Sequence, residues 1–150
     1  MSTEAKRLAA NKAIAAVHYR YLGDPERAMS AMADDVIYHG RPGAPATLAV
    51  WKERERRFHL AMGDIRTTIQ QQIAEGDLVL TYWTLEAIHR GTLMQYPATG
   101  RSVVMKSMCI DRIAGDRVVE HWGVRDLLSV LRQIGAVEEF RPDAKEKDPR

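Results

Sequence analysis

The residues best suited to acid–base chemistry lie between positions 109 and 135, in the segment CIDRIAGDRVVEHWGVRDLLSVLRQIG. A tight turn at Gly115 precedes a predicted strand over residues 117–124. His121 lies near the far end of that strand, where a curved sheet can open into a pocket. Neutral imidazole exchanges protons near pH 7 without a large change of pKa, so His121 is the first candidate for proton transfer. The alternative is a buried histidine that bonds a backbone carbonyl.

Asp126 is the remaining carboxylate at that end of the predicted pocket. Within reach of His121, a carboxylate would orient the imidazole and raise its basicity. Asp126 also comes directly before Leu127, where the final helix is predicted to begin, and aspartate is a preferred N-cap residue. Helix capping is therefore the alternative role for Asp126, and the two roles are compatible.

Helices precede strands along this chain. Apolar spacing and cap residues predict helices over residues 4–22, from Asp24-Pro25 to about Met32, over 47–62 and over 127–134. A short strand is predicted over 34–40. A period of two then predicts long strands over 65–74, 78–91, 102–113 and 117–124. This order predicts an α+β fold, a cone-shaped curved antiparallel sheet with some mixed pairing and with the N-terminal helices packed on its concave face.

The chain is expected to form one domain over residues 1–140, followed by a charged and disordered tail over 141–150. A net charge of +2 with dispersed basic residues gives no sign of a nucleic-acid partner. The run at 52–57 alternates in sign and predicts a solvated helix face. The single cysteine suits a reducing compartment, and no apolar run approaches the roughly 20 residues of a membrane span. These features predict a cytoplasmic protein with no membrane partner.

Metal and cofactor sites have no support in the residue pattern. The five histidines show no HxH or HExxH spacing, and one cysteine cannot build a thiolate site. Gly-rich phosphate-binding motifs are absent. We therefore expect no metal and no organic cofactor.

Three segments together resemble one family. Residues 126–135 (DLLSVLRQIG) are similar to an Asp…Leu-Arg-Gln-Leu-Gly ending, and His89-Arg90-Gly91 with residues 97–101 (PATGR) to a His-x-Gly…Pro-x-Thr-Gly-Arg element. Residues 115–122 (GDRVVEHW) resemble a Gly-Lys-Ile-x-Glu-His-Trp turn and strand. These are features of the SnoaL-like polyketide cyclases and their ester-cyclase relatives, which share the nuclear-transport-factor-like fold. The resemblance spans about residues 5–135.

The resemblance also shows what this chain lacks. In the cyclases that close the last ring of anthracycline precursors, the strand that corresponds to residues 117–124 ends in His-Arg-Asp, whose aspartate is the general base, and a histidine on the preceding strand assists it. Gly123 and Cys109 stand at these two positions. Because glycine cannot accept a proton, the resemblance implies that this chain does not use that base.

Strand alternation extends the candidate site. If Gly123 and Cys109 face the pocket, alternation along their two strands and the neighbouring strand predicts which other side chains point inward. These side chains are mostly apolar and would suit a flat lipophilic ligand. Each of them is equally consistent with core packing. Trp51 is expected in the core or in the ligand wall, and His39 at the pocket mouth or in solvent. The inward set consists of Thr81, Trp83, Leu85, His89, Met105, Ser107, Asp111 and Val119.

The resemblance implies a cofactor-independent enzyme that acts on a polyketide or similar lipophilic molecule. Its chemistry would be cyclisation, isomerisation or hydration driven by proton transfer, with His121 as acid or base, Asp126 as its orienting partner and Trp83 as a stacking wall. A hydroxylase component of aromatic polyketide tailoring is one alternative, and a non-catalytic binding domain is another. We expect a homodimer, because the outer face of the sheet has to be covered.

Overall fold

The computed structural model describes residues 1–40 and 43–138. The predicted tail at 141–150 lies outside the described residues. Helices and strands occur at nearly all the predicted places, and the order is α1 (Thr3–Arg20), α2 (Pro25–Ala28), β1 (Met32–His39), α3 (Leu48–Ala61), β2 (Met62–Glu75), β3 (Leu78–His89), β4 (Ser102–Ala114), β5 (Arg117–Arg125) and α4 (Leu127–Gln133).

Local sequence signals explain where the helices begin. The hydroxyl of Ser2 accepts a hydrogen bond from the backbone N–H of Ala5 at 3.1 Å and so caps α1. Asp24 caps α2 in the same way, with Pro25 in the first turn. This second helix ends at Ala28 rather than at about Met32, because residues 29–31 form a turn that leads into β1.

The five strands form one sheet in the order β1-β5-β4-β3-β2, and the sheet is curved but not closed. β1 pairs with β5 in parallel, and the other pairs are antiparallel. The turns that join β2 to β3 and β4 to β5 contain Gly76 and Gly115, both with positive φ. The predicted α+β architecture with a mixed curved sheet is confirmed.

The helices and the sheet's concave face enclose two groups of buried apolar side chains. Tyr19 of α1 packs with Trp83 and Met105 of the sheet in the larger group. Trp51 of α3 packs with Val36 and other residues in the second group. Alternation is strict along β3 and β4, where every second residue is buried.

The alternation fails in β5. Ile113 pairs with Val118 while Arg112 pairs with Glu120, so Val119 is an extra residue in the strand. Such a bulge reverses the parity on one side of it. Val118 is therefore the fully buried residue, and the expectation that Val119 faces inward is wrong. No helix in the described part of the chain is long and apolar enough to cross a membrane.

Candidate functional site

The predicted inward-facing side chains of β3 and β4 do lie on the concave face, beneath the helices. They fill this space rather than line an open chamber, because side chains from α1 and α3 pack directly against them. The side chains with less than 4% of their surface exposed include Thr81, Trp83, Leu85, Met105, Ser107, Cys109 and Asp111.

A buried hydrogen-bonded chain of polar groups crosses this packed interior. Nδ1 of His121 lies 2.7 Å from Oδ1 of Asp111, and the hydroxyl of Tyr19 donates to Oδ2 of the same carboxylate, also at 2.7 Å. His121 and Asp111 are each 1% exposed. Both carboxylate oxygens of Asp111 are therefore satisfied, and one of them fixes the orientation of the imidazole.

The Asp111 carboxylate favours the protonated form of His121. Burial alone would lower the pKa of His121, but the charge and the hydrogen bond of Asp111, with a smaller effect of Cys109, raise this pKa to about 9. The imidazole is therefore an imidazolium at neutral pH. Burial and the adjacent Asp111 raise the pKa of the Tyr19 hydroxyl well above its usual range, so this phenol stays neutral.

Gly123 provides the space in which the imidazole and the thiol meet. A Cβ atom added at Gly123 would lie 2.9 Å from Nε2 of His121 and 3.2 Å from Sγ of Cys109. The thiol also accepts a hydrogen bond from the indole N–H of Trp83 at 3.5 Å. Burial opposes ionisation of Cys109, but the hydrogen bonds from His121 and Trp83 outweigh it and lower the pKa of the thiol.

Aromatic rings surround His121 on the side of the helices. Its ring centroid lies 4.5 Å from that of Trp51, 5.6 Å from that of Tyr38 and 6.0 Å from that of His18. Burial lowers the pKa of His18 to about 4, so this second histidine is neutral. The imidazole of His121 therefore points inward, as expected, but a layer of aromatic side chains covers it.

An open cavity of about 620 Å³ lies next to this layer, between α3, the end of β5 and the loop after β3. Its wall is mainly apolar by area, and its polar members are Tyr38, Arg54, Glu55, Arg57, Thr92 and Arg125. This size suits a drug-sized organic ligand. The residues that line it are Tyr38, Gly40, Arg54, Glu55, Arg57, Phe58, Leu60, Thr92, Leu93, Met94, Met105, Arg125 and Leu127.

A buried ion pair forms the polar part of the cavity wall. The guanidinium of Arg125 donates to Oε1 of Glu55 at 2.5 Å, and the indole N–H of Trp51 donates to the same oxygen at 3.2 Å. Burial would raise the pKa of Glu55, but the charge of Arg125 reverses this effect and lowers it. Glu55 is therefore ionised, although its side chain is only 3% exposed.

The sequence model that describes the SnoaL-like polyketide cyclase family matches residues 10–134 of this chain. The chain belongs to the SnoaL-like polyketide cyclase family. None of the functionally curated proteins matches it.

Solved structures of this SnoaL-like fold agree with the assignment. AclR of Streptomyces galilaeus, provisionally assigned as a hydroxylase, has a TM-score of 0.82 at 21% identity, with 89% of this chain and 86% of AclR covered. IdmH of Streptomyces antibioticus, provisionally assigned as a polyketide cyclase, has a TM-score of 0.73 at 28% identity, with 83% and 98% covered. A provisionally assigned cyclase of Acidithiobacillus ferrooxidans has a TM-score of 0.71 at 26% identity, with 90% and 98% covered.

The SnoaL-like domain places the other predicted site residues apart from the cavity. Asp126 accepts a hydrogen bond from the backbone N–H of Ser129 at 3.0 Å and caps α4, while Asp111 is the carboxylate that holds His121. His39 lies on the outer face of the sheet, where it bonds Glu120 and stacks on Trp122. These placements follow from helix capping and from the parity of β1, respectively.

Among the predicted ligand-binding residues, Met105 lines the cavity. His89 lies buried at the end of β3, where Nδ1 pairs with the hydroxyl of Thr99 at 3.0 Å. Trp51 supports the cavity wall from behind through its bond to Glu55. In the described residues, no three His, Cys, Asp or Glu side chains are grouped in a way that could hold a metal ion.

Sequence reasoning missed Glu55 and Arg125. Glu55 belongs to the charged run that predicted a solvated helix face, and this prediction is wrong for Glu55, which is buried. Its position four residues after Trp51 is a signal that could have found it, since residues at this spacing share a helix face. Arg125 shares its strand parity with His121 and Gly123, which would have placed it inward as well.

Proposed function

We propose that this protein is a cofactor-independent enzyme that binds a polyketide-like or similarly lipophilic molecule in the 620 Å³ cavity and promotes proton transfer, as in cyclisation, isomerisation or hydration. The observation that supports the proposal most is the pair of ionised groups at the cavity's inner end. Glu55 and Arg125 lie in the wall, and His121 of the Asp111–His121 pair lies beyond the wall residue Tyr38, with 5.6 Å between their ring centroids. Ionisable groups held with shifted pKa values beside an apolar cavity are typical of enzymes.

The Asp111–His121 pair supplies acid chemistry in this proposal. Because its pKa is raised to about 9, His121 carries a proton at neutral pH and acts as a general acid that donates it to the oxygen of a developing enolate, while a water molecule that enters the open cavity accepts the carbon-bound proton. The ring of Tyr38 lines the cavity and contacts the imidazole, so Tyr38 has to turn aside for direct contact with substrate. Asp111 is then the positioning residue that holds the imidazole in orientation.

The test uses 2-tetralone, a bicyclic lipophilic ketone, as a substitute substrate. Proton NMR measures the exchange of its carbon-bound protons with D₂O, with and without protein. We expect the wild-type protein to accelerate this exchange, and the acceleration to fall as pH rises through about 9, where His121 loses its proton. His121→Gln is expected to lower the rate by about 100-fold, a typical effect of general acid–base catalysis.

The control is Asp77→Asn, which removes an exposed carboxylate that pairs with Arg112 far from the cavity. This variant should exchange 2-tetralone as fast as the wild-type protein. If His121→Gln keeps both the wild-type rate and its decline near pH 9, the role of His121 is refuted. If 2-tetralone binds without faster exchange, the non-catalytic binding domain becomes the better proposal.

Hydroxylation of aromatic polyketides is the competing proposal, suggested by the likeness to AclR. Mass spectrometry separates the two chemistries, because proton-transfer reactions other than hydration keep the substrate's mass, whereas hydroxylation adds one oxygen atom. Labelled water and labelled dioxygen then distinguish hydration from hydroxylation.

A further inference from the structure

One carboxylate oxygen of Glu55, a residue of the cavity wall, lacks a protein partner. Oε1 of Glu55 accepts hydrogen bonds from Arg125 and Trp51, but no donor within residues 1–40 and 43–138 reaches Oε2. Glu55 is 2% exposed, so this carboxylate oxygen is held away from bulk solvent. Leaving a buried acceptor unsatisfied is costly, and more so for a charged group.

The position of Glu55 makes a ligand the natural donor. Glu55 is part of the cavity wall together with apolar residues such as Leu93 and Met105. The carboxylate cannot move freely toward solvent, because Arg125 and Trp51 hold its other oxygen. A lipophilic molecule in the cavity would therefore meet a fixed acceptor in a wall of apolar groups whose other charged members, Arg54, Arg57 and Arg125, only donate hydrogen bonds.

We propose that Glu55 selects ligands that carry a phenolic or enolic hydroxyl group, which donates a hydrogen bond to Oε2. This inference rests on the proposed function, because it assumes that the cavity binds a lipophilic molecule. Glu55 is a binding residue here rather than the general base, since its ion pair with Arg125 stabilises the carboxylate and weakens its attraction for a proton.

Arg125 has a second part in this selection. Its guanidinium is 23% exposed and lines the same cavity, while its position over Trp83 and Phe58 fixes its plane. The positive charge keeps Glu55 ionised, so the acceptor is present whether or not the ligand is bound. A hydrogen bond to a charged acceptor is stronger than one between neutral groups, and this difference provides the discrimination.

The experiment compares 2-naphthol with 2-methoxynaphthalene and naphthalene by equilibrium dialysis at pH 7. The three probes share one ring system, and only 2-naphthol has a hydroxyl donor. We expect the wild-type protein to bind 2-naphthol about tenfold more tightly than either of the other two. In Glu55→Gln the preference should disappear, because the amide presents an N–H₂ group in place of one carboxylate oxygen.

Glu4→Gln is the matched control. Glu4 is an exposed helical glutamate that pairs with Arg7 of α1, and neither residue lines the cavity, so this variant should keep the wild-type preference. An equal preference for 2-naphthol in the wild-type protein and in folded Glu55→Gln overturns the proposal. Equal binding of all three probes by the wild-type protein also overturns it, and this comparison decides the matter if circular dichroism shows that Glu55→Gln is unfolded.

Failure of the wild-type protein to bind any of the three naphthalenes is a separate result. It contradicts the ligand cavity of the proposed function, and the selection by Glu55 fails with it. Binding without preference leaves the cavity intact and refutes only the role of Glu55.

Discussion

Asp111→Asn tests the buried polar chain at its centre. Asp111 accepts from Tyr19 and from His121, each at 2.7 Å, and has 1% of its surface exposed. An asparagine side chain has one acceptor oxygen and one N–H₂ group, so one of the two donors would face another donor. The change also leaves the buried imidazolium without its counter-charge.

The expected loss of stability is large and depends on pH. Breaking a buried charged pair by removing one partner costs about 3–5 kcal/mol. The pKa of His121 lies at about 9 in the folded protein, above its ordinary value of 6.5, so the pair stabilises the fold fully below pH 6.5. This stabilisation is lost as pH rises through 9. The raised pKa of His121 therefore contributes about 3 kcal/mol to the free energy of unfolding at pH 6 and about 1 kcal/mol at pH 8.

Urea denaturation at pH 6 and pH 8 measures this effect, with Asp77→Asn as an exposed control that should leave the unfolding free energy nearly unchanged. We expect the difference between the wild-type protein and Asp111→Asn to shrink at the higher pH. NMR titration of His121 in the variant should show a pKa below 6.5, since only the smaller effect of Cys109 then opposes burial. A difference in stability that is small at pH 6, or a His121 pKa that stays near 9, would refute the reasoning.

Two further predictions concern the space at Gly123 and the outer face of the sheet. Gly123→Ala should displace the imidazole, because the new Cβ would lie 2.9 Å from Nε2 of His121. We expect urea denaturation to show a loss of about 1–3 kcal/mol in the free energy of unfolding. An unchanged NMR resonance of His121 would contradict the displacement. A homodimer is expected through the outer face of β4 and β5, where Met108 and Val124 pair and are 55% and 76% exposed. Sedimentation at micromolar concentration should show a dimer that Met108→Asp converts to monomer, and a wild-type monomer would be the contrary result.

The sequence was sufficient to predict the helices and strands and to place side chains on the correct face of β3 and β4. Alternating burial along these strands is strong because one face meets the helices and the other does not. The same rule failed in β5, where one extra residue at Val119 reverses the parity. A bulge of this kind leaves no residue-type signal in Arg117–Arg125, so periodicity alone could not locate it.

Predicting the cavity was harder, because it depends on how deeply the helices fill the concave face. Trp83, Leu85 and Cys109 face inward as predicted, yet Tyr19 packs against Trp83, and Trp51 covers His121. The spacing of residues along the chain does not predict how far the side chains of Tyr19 and Trp51 reach into the interior. The Glu55–Arg125 pair joins positions 70 residues apart, and only the fold brings them together. Asp111 was predicted to face inward, but its pairing with His121 became apparent only from the positions of the two side chains in the structure.

The junction between α3 and β2 limits how the cavity can change its width. α3 ends at Ala61 and β2 begins at Met62, so no connecting loop absorbs movement. The carbonyl of Ala61 accepts from the amides of Arg90 and Gly91, both at 3.0 Å, which anchors this end of the helix to the segment after β3. The other end of α3 is tied as well, because Ala46 and Tyr38 of β1 exchange two backbone hydrogen bonds, at 2.9 and 2.8 Å. An occupant too large for the cavity would have to break one of these attachments before α3 could move and separate Glu55 from Arg125.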